Sequence, residues 1–208
     1  MTTDPIQGSD EWYALRLGKA TGSRISEIIA TTKNGGYSTS RDNYAADLIT
    51  ERLTHERVVG YENDAMRWGK EKEPEARSFY ELFLDTQVEQ VAFVDHPSIL
   101  MAGCSPDGLV GEDGLVEIKC PFKTAVHIKT LLKKQVPPEY LPQCQWQMAV
   151  TGRKWCDFVS YDPRMPPHRR LFTKRIPRNQ IEIDRLEKEV RLFLADVEET
   201  VRKLEAEE

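Results

Sequence analysis

Cysteine is scarce in this chain of 208 residues: Cys104, Cys120, Cys144 and Cys156, none of them in a CxxC pair. That excludes a disulfide scaffold and a zinc ribbon, and predicts buried free thiols in a reducing compartment. Histidine is equally sparse, and His55, His96, His127 and His168 show no HxxxH or HxxC spacing that would suit a zinc centre. No apolar run approaches the roughly 18–20 residues that a membrane span needs. The opening MTTDPIQGSDEW has neither the basic start nor the apolar centre of a signal peptide. The expectation is a cytoplasmic protein with no membrane partner. A single domain over 1–208 is expected, with its core over about 9–176 and a last helix over about 179–207. Net positive charge is missing too, at −5, which argues against a simple basic nucleic-acid binder. The charge is uneven, however. Ten acids and five bases lie between Glu182 and Glu208, leaving 24 of each sign in the rest of the chain. The acidity sits in the tail and says nothing against a basic surface in the body.

What is present is a core-forming composition, 39% hydrophobic and 30% charged. Ser9 or Asp10 can cap a helix over Glu11–Leu17 with Trp12, Leu15 and Arg16 on one face. A second helix is expected over Thr21–Thr32, then a flexible loop over Lys33–Ser40 with two glycines. Ser40 would cap a helix to about Leu53. Another helix runs from Asn63 to about Phe83, interrupted near Pro74. Short strands follow at Val88–Val94, Leu100–Ala102, Gly108–Val110 and Gly114–Lys119. Helices over Lys123–Lys134 and Glu139–Val150 precede strands over Trp155–Tyr161 and Leu171–Ile176. Asn179–Glu207 is a long amphipathic helix. The fold class is α/β or α+β: a central mixed β-sheet flanked by helices.

The stretch CSPDGLVGEDGLVEIKCPF, Cys104 to Phe122, carries the chemistry. Read plainly, Ser105-Pro106-Asp107-Gly108 is a turn, and Val116–Lys119 is a half-buried strand. Strand geometry puts Glu117 and Lys119 on one face, roughly 6.6 Å apart. If GEDG is a hairpin turn, Asp107 folds back beside Glu117. Two carboxylates so placed suit a hard divalent cation. A neighbouring Lys119 can orient water and offset charge on a phosphate.

A Pro-Asp followed by Glu-x-Lys on the next strand resembles the signature of the PD-(D/E)XK nucleases, here Pro106-Asp107 and Glu117-Ile118-Lys119. Longer segments are more specific: EWYALRLGKATGS, RWGKEKEPEAR, CSPDG, VEIKCPF, YLPQCQWQMAVTG and YDPRM follow in order. Together they resemble the bacteriophage lambda exonuclease, or YqaJ-type viral recombinase, family over about Ser9 to Met165.

That resemblance implies a restriction-endonuclease-like core and a set of roles. Asp107, Glu117 and the Ile118 carbonyl would hold metal, Lys119 would assist the water, and Glu73 would add an acidic group. Asp95 is a weaker candidate. Arg16, Ser23, Ser105 and Gln143 would form a 5′-phosphate pocket. Lys33 and Arg41 would meet DNA from either end of the Lys33–Ser40 loop. The implied cofactor is Mg²⁺, two ions per site, with Mn²⁺ able to substitute and Ca²⁺ inactive. The implied activity is 5′→3′ degradation of one strand of linear duplex DNA to mononucleotides. It would be carried out by a ring-shaped homotrimer beside a single-strand annealing protein in phage-type recombination. The competing readings are an endonuclease on the same fold and a catalytically inactive DNA-binding module.

Overall fold

The structure is a computed structural model and describes residues 5–206. Ser9 caps α1 (Asp10–Arg16), accepting a hydrogen bond from Trp12 N. Trp12 and Arg16, one turn apart, share a face, but Leu15 turns outward at 39% exposure and does not join them. The expected Thr21–Thr32 helix is far shorter. After β1 (Ala20–Thr21), a 3₁₀ turn over Gly22–Arg24 leads into a four-residue α2 (Ile25–Ile28).

The chain then closes a tight loop rather than an open one. Thr31 bridges Tyr37, Thr32 N donates to Gly36 O at 2.7 Å, and the Tyr37 hydroxyl donates to Glu189 at 2.7 Å. Next come α3 (Thr39–Thr54) and α4 (Asp64–Leu84). Pro74 lies inside α4 without ending it. It is exposed, so water can satisfy the carbonyl that its missing N–H leaves free.

The expected Val88–Val94 strand is two strands in different sheets, β2 (Val88–Glu89) and β3 (Val94–Asp95). They are followed by β4 (Ala102–Cys104), β5 (Gly108–Val110), β6 (Gly114–Lys119), α5 (Thr124–Lys133), α6 (Leu141–Thr151), β7 (Trp155–Tyr161), β8 (Leu171–Pro177) and α7 (Gln180–Glu205). The strands form a three-stranded sheet, β1-β4-β3, and a five-stranded sheet, β2-β5-β6-β7-β8. Both are mixed: β1 runs parallel to β4 and β6 parallel to β7, and the other pairs are antiparallel.

Helices cover both faces of the larger sheet. Ala76 and Tyr80 of α4 pack on Val116, Ile118, Val159 and Tyr161. Cys144 and Met148 of α6 pack on Leu115, Cys156 and Phe158. β6 is therefore buried on both faces, not half-buried as its alternation suggests. A third cluster gathers α2, α3 and α7 around Trp146, and all seven apolar stripe residues of α7 are buried. All four cysteines are free and buried. A polar network centred on buried Asp157 and Tyr80 helps fix α4 against the sheet. Tyr80 donates to Asp157 at 2.9 Å, Arg175 makes two 2.9 Å bonds to the same carboxylate, and Tyr161 donates to Glu75 at 2.8 Å. Among the described residues, no helix is long and apolar enough to cross a membrane.

Arg41, expected to reach toward DNA, is a core residue at 4% exposure. Its Nη1 donates to Ile28 O at 2.8 Å, and its guanidinium stacks 3.8 Å from the Tyr37 ring centroid. The short α2 ends in a free carbonyl that needs a donor, and Arg41 supplies it. Arg41→Ala should therefore destabilise the fold by about 1–3 kcal/mol, the cost of a buried acceptor left without its partner. Duplex-DNA affinity should not change. Denaturant unfolding beside a DNA titration checks this, and weaker DNA binding with stability intact would return Arg41 to the DNA face.

Candidate active site

The β5–β6 hairpin brings the carboxylates together. Its turn places Gly111 at φ +54°, a conformation that suits glycine. The ladder pairs Gly108 with Val116. Asp107 thus falls opposite Glu117, one step beyond the last pair. A side chain at Gly108 would run into Val88, so the hairpin can lie close to β2 only with glycine there.

Asp107 Oδ2 accepts from Ile118 N at 2.6 Å. N–H and C=O of one strand residue point to the same side. The Ile118 carbonyl therefore faces the place where β5 has ended, beside Asp107. Glu117 is fully buried and accepts from Gln147 Nε2 at 2.6 Å on Oε2. Lys119 Nζ lies against Glu117 Oε1 and 3.5 Å from Gln143 Oε1.

Asp107, Glu117, Ile118, Lys119 and Glu73 all line one cavity of about 690 Å³. So do Arg16, Ser23, Ser105 and Gln143. Lys33 and Arg41 do not. Asp95 lies elsewhere, in an exposed ion pair with Lys19 at 2.6 Å. Glu73 accepts from Arg77 at 2.5 Å and does not pair with Lys70 or Lys72, which bind Glu62 and Glu71.

The electrostatics of the carboxylate end are strained. Burial first, then Glu117 and Glu73, raise the Asp107 pKa well above the ordinary carboxylate range. Burial raises Glu73 as well, opposed by Arg77 and reinforced by Glu117. Burial works to lower the Lys119 ammonium, but Glu117 and Asp107 outweigh it and hold it above its usual value. The Lys119 ammonium and the Arg77 guanidinium therefore face three clustered carboxylates, with Lys119 against Glu117 Oε1 and Arg77 on Glu73. A divalent cation would relieve that charge. Among the described residues no three His, Cys, Asp or Glu side chains form a ready cage. Mg²⁺ does not require one, since it uses one or two carboxylates and keeps several waters. Asp107, Glu117 and the Ile118 carbonyl fit that donor set.

The opposite wall is cationic. Arg16 Nη1 donates to Ser105 Oγ at 3.0 Å, and its guanidinium lies 4.1 Å from the Trp12 ring centroid. It has no carboxylate partner among the described residues, and burial lowers its pKa. Trp12 Nε1 also donates to Ser105 Oγ, at 2.9 Å. The Ser105 oxygen accepts both bonds, which leaves its own proton to donate into the cavity.

Two residues at the site escape the sequence reading. Trp12 is assigned there only to one helix face with Leu15 and Arg16, yet it positions Ser105 and Arg16. Gln147 is one helical turn from Gln143 on the same face, a spacing that could have pointed to it. Gln145, by contrast, faces away and ties Pro177 O to Asn179 N, each at 2.9 Å.

The chain belongs to the YqaJ-like viral recombinase family, whose domain profile matches residues 11–154. Among solved structures it is similar to an alkaline exonuclease, LHK-Exo, from Laribacter hongkongensis, at 46% identity and TM-score 0.88, covering 96% of this chain and 97% of that one. LHK-Exo in complex with dAMP matches at 45% identity and TM-score 0.88, with the same coverage. A phage related exonuclease from Haemophilus somnus 129PT shares the fold at 16% identity and TM-score 0.70, covering 89% and 96% of the two chains. No curated protein matches the chain.

Asp107→Asn should raise the melting temperature of the metal-free protein, because it removes one buried charge while an amide oxygen can still accept from Ile118 N. Mg²⁺ should raise the wild-type melting temperature by several degrees, since a ligand at a hundred times its Kd adds about 2.7 kcal/mol, and Asp107→Asn should lose that rise. Thermal unfolding with and without Mg²⁺ reads both effects, and an unaltered Mg²⁺ response in the variant would remove Asp107 from the cation's ligands.

Proposed function

We propose that this protein is a metal-dependent exonuclease of linear double-stranded DNA, working 5′→3′ and releasing mononucleotides in phage-type recombination. The observation that carries the reading is one cavity with clustered carboxylates on one wall and Arg16, bonded to Ser105, on the other. A phosphodiester hydrolase needs the first wall. An enzyme that starts at a strand end needs the second. The resemblance to an alkaline exonuclease at 46% identity, and the binding of dAMP, a mononucleotide, by that relative, support the same reading.

Each residue has a part. Asp107, Glu117 and the Ile118 carbonyl would hold Mg²⁺ or Mn²⁺, in one or two ions, with Ca²⁺ as an inactive substitute. The metal supplies Lewis-acid stabilisation of phosphate charge and makes water easier to deprotonate. Lys119 directs its ammonium at the reacting oxygens and offsets charge as it builds on the phosphate. Glu73 adds negative potential beside the ligands and is held by Arg77. Arg16 offers a planar fork to a terminal phosphate, Ser105 donates its free proton, and Ser23 and Gln143 close the pocket. A terminal phosphate carries more charge than an internal one, so this wall selects ends. Exposed Lys33 can meet the duplex outside the cavity. The ring-shaped homotrimer, the single-strand annealing partner and the cytoplasmic setting belong to this reading through the family resemblance.

Lys119→Ala should lower turnover while leaving DNA affinity nearly intact, because its charge acts as the phosphate becomes more negative. DNA binding in Ca²⁺ beside rates in Mg²⁺ separates the two, and equal losses would reduce Lys119 to a phosphate anchor. Recognition of ends gives the decisive test. Wild type should digest a linear duplex and spare a closed circle, and it should favour a 5′-phosphate over a 5′-hydroxyl. Arg16→Ala should slow the phosphorylated substrate roughly tenfold to hundredfold, from the loss of a charge-assisted bond of about 1.5–3 kcal/mol. Cutting of the closed circle would make the protein an endonuclease. No cutting of either substrate would make it a binding module.

A further inference from the structure

The two oxygens of the Glu117 carboxylate are in different situations. Oε2 accepts from Gln147 Nε2 at 2.6 Å, while Oε1 has only the Lys119 ammonium against it. Gln147 is 1% exposed, and its own Oε1 is also buried without a partner. Among the described residues the bond to Glu117 is the only polar contact of its side chain. Turning the amide round would set its oxygen against a carboxylate, so charge fixes its orientation.

A half-satisfied amide is a poor choice for packing alone. Gln145, two residues earlier, has both ends of its amide bonded, as a structural glutamine should. Something other than packing therefore has to account for an amide at position 147. The last torsion of a glutamate side chain is broad and roughly two-fold. Without an anchor the Glu117 carboxylate can rotate, and Mg²⁺ tolerates little departure from octahedral geometry.

We propose that Gln147 is a positioning residue for the divalent cation. It grips Glu117 Oε2, stops the carboxylate from rotating, and leaves Oε1, which the flexible Lys119 side chain contacts in the absence of metal, as the oxygen for a metal in the cavity. α6 then presents two amides one turn apart: Gln143 toward Lys119, and Gln147 toward the carboxylate beside it. This inference rests on the metal-dependent reading above. Its consequence is specific: loss of the Gln147 donor weakens metal binding in a protein that still folds, because the lost bond acts on a ligand and Met fills the same space.

The test is Mn²⁺ binding, followed by electron paramagnetic resonance of the free ion, in wild type, Gln147→Met and Gln147→Asn. Met keeps the volume without the donor, and Asn withdraws the donor by one methylene. Both should bind Mn²⁺ roughly 10–100-fold more weakly, the usual result of losing a group that orients a metal ligand. Metal-free melting temperature should fall by a few degrees for Gln147→Met, because Glu117 Oε2 loses its donor, while the variant stays folded. Saturating Mg²⁺ should recover most of the turnover in both variants. Wild-type Mn²⁺ affinity in a folded variant overturns the proposal while leaving the hydrolase reading intact. Failure of wild type itself to bind Mn²⁺ overturns the hydrolase reading, and this inference with it. A readout without any variant comes from glutamine-¹⁵N-labelled protein. One Gln147 amide proton should be shifted and slow to exchange, and should stay so when Mg²⁺ is added. Its loss on Mg²⁺ binding would show that the amide lets go of Glu117, contrary to the proposal.

Discussion

The register of one hairpin governs the site. Because Gly108 pairs with Val116, Asp107 stands beside Glu117 at the end of a strand covered by helices on both faces. Two carboxylates side by side in a buried setting repel each other, and burial penalises each further. The protein does not remove that tension. It arranges groups around it: the Ile118 N–H on Asp107, the Gln147 amide on one oxygen of Glu117, and the Lys119 ammonium on the other side. The apolar clusters on either face of the sheet, together with the network that ties α4 to Asp157, provide the stability that this arrangement opposes.

The same short segment also links the two halves of the cavity. Ser105 and Asp107 are two residues apart, so covalent geometry fixes how far the Arg16 wall lies from the carboxylate wall. On the proposed reading, that fixed step decides how much of the strand is released per cut. Trp12 sets the Arg16 wall. Its indole N–H reaches Ser105 while its ring carries the Arg16 guanidinium. An arginine partly withdrawn from water and without a carboxylate partner among the described residues carries positive charge there, and the opposite wall carries clustered negative charge. A terminal phosphate and a divalent cation would balance both at once.

Much of this was legible in the sequence, for physical reasons. The hairpin follows from GEDG between two short apolar runs, and period-2 geometry then places Asp107, Glu117 and Lys119 together. The α7 stripe follows from its 3.6-residue periodicity, and all seven of its apolar residues are buried. Other features were not legible. Two-sided burial of β6 depends on α4 and α6 arriving from distant parts of the chain, and alternation within one strand cannot show that. The splitting of Val88–Val94 between two sheets depends on which strands lie opposite each half. Arg41 looks like a solvent-facing cation beside a glycine loop. Only the early end of α2 gives it a carbonyl to bond and a core to fill. Gln147 looks like its neighbours Gln143 and Gln145, and only the packing of α6 on β6 assigns the three glutamines three different tasks.

On the proposed reading, the strained carboxylate pair at the end of β5 and β6 is a cation site. Anomalous diffraction from crystals grown with Mn²⁺ tests it directly. The account predicts a peak in the cavity in contact with Asp107, with Glu117 through Oε1, and with the Ile118 carbonyl. Well-ordered crystals at saturating Mn²⁺ with no peak there, or with Mn²⁺ held only by other residues, would contradict it.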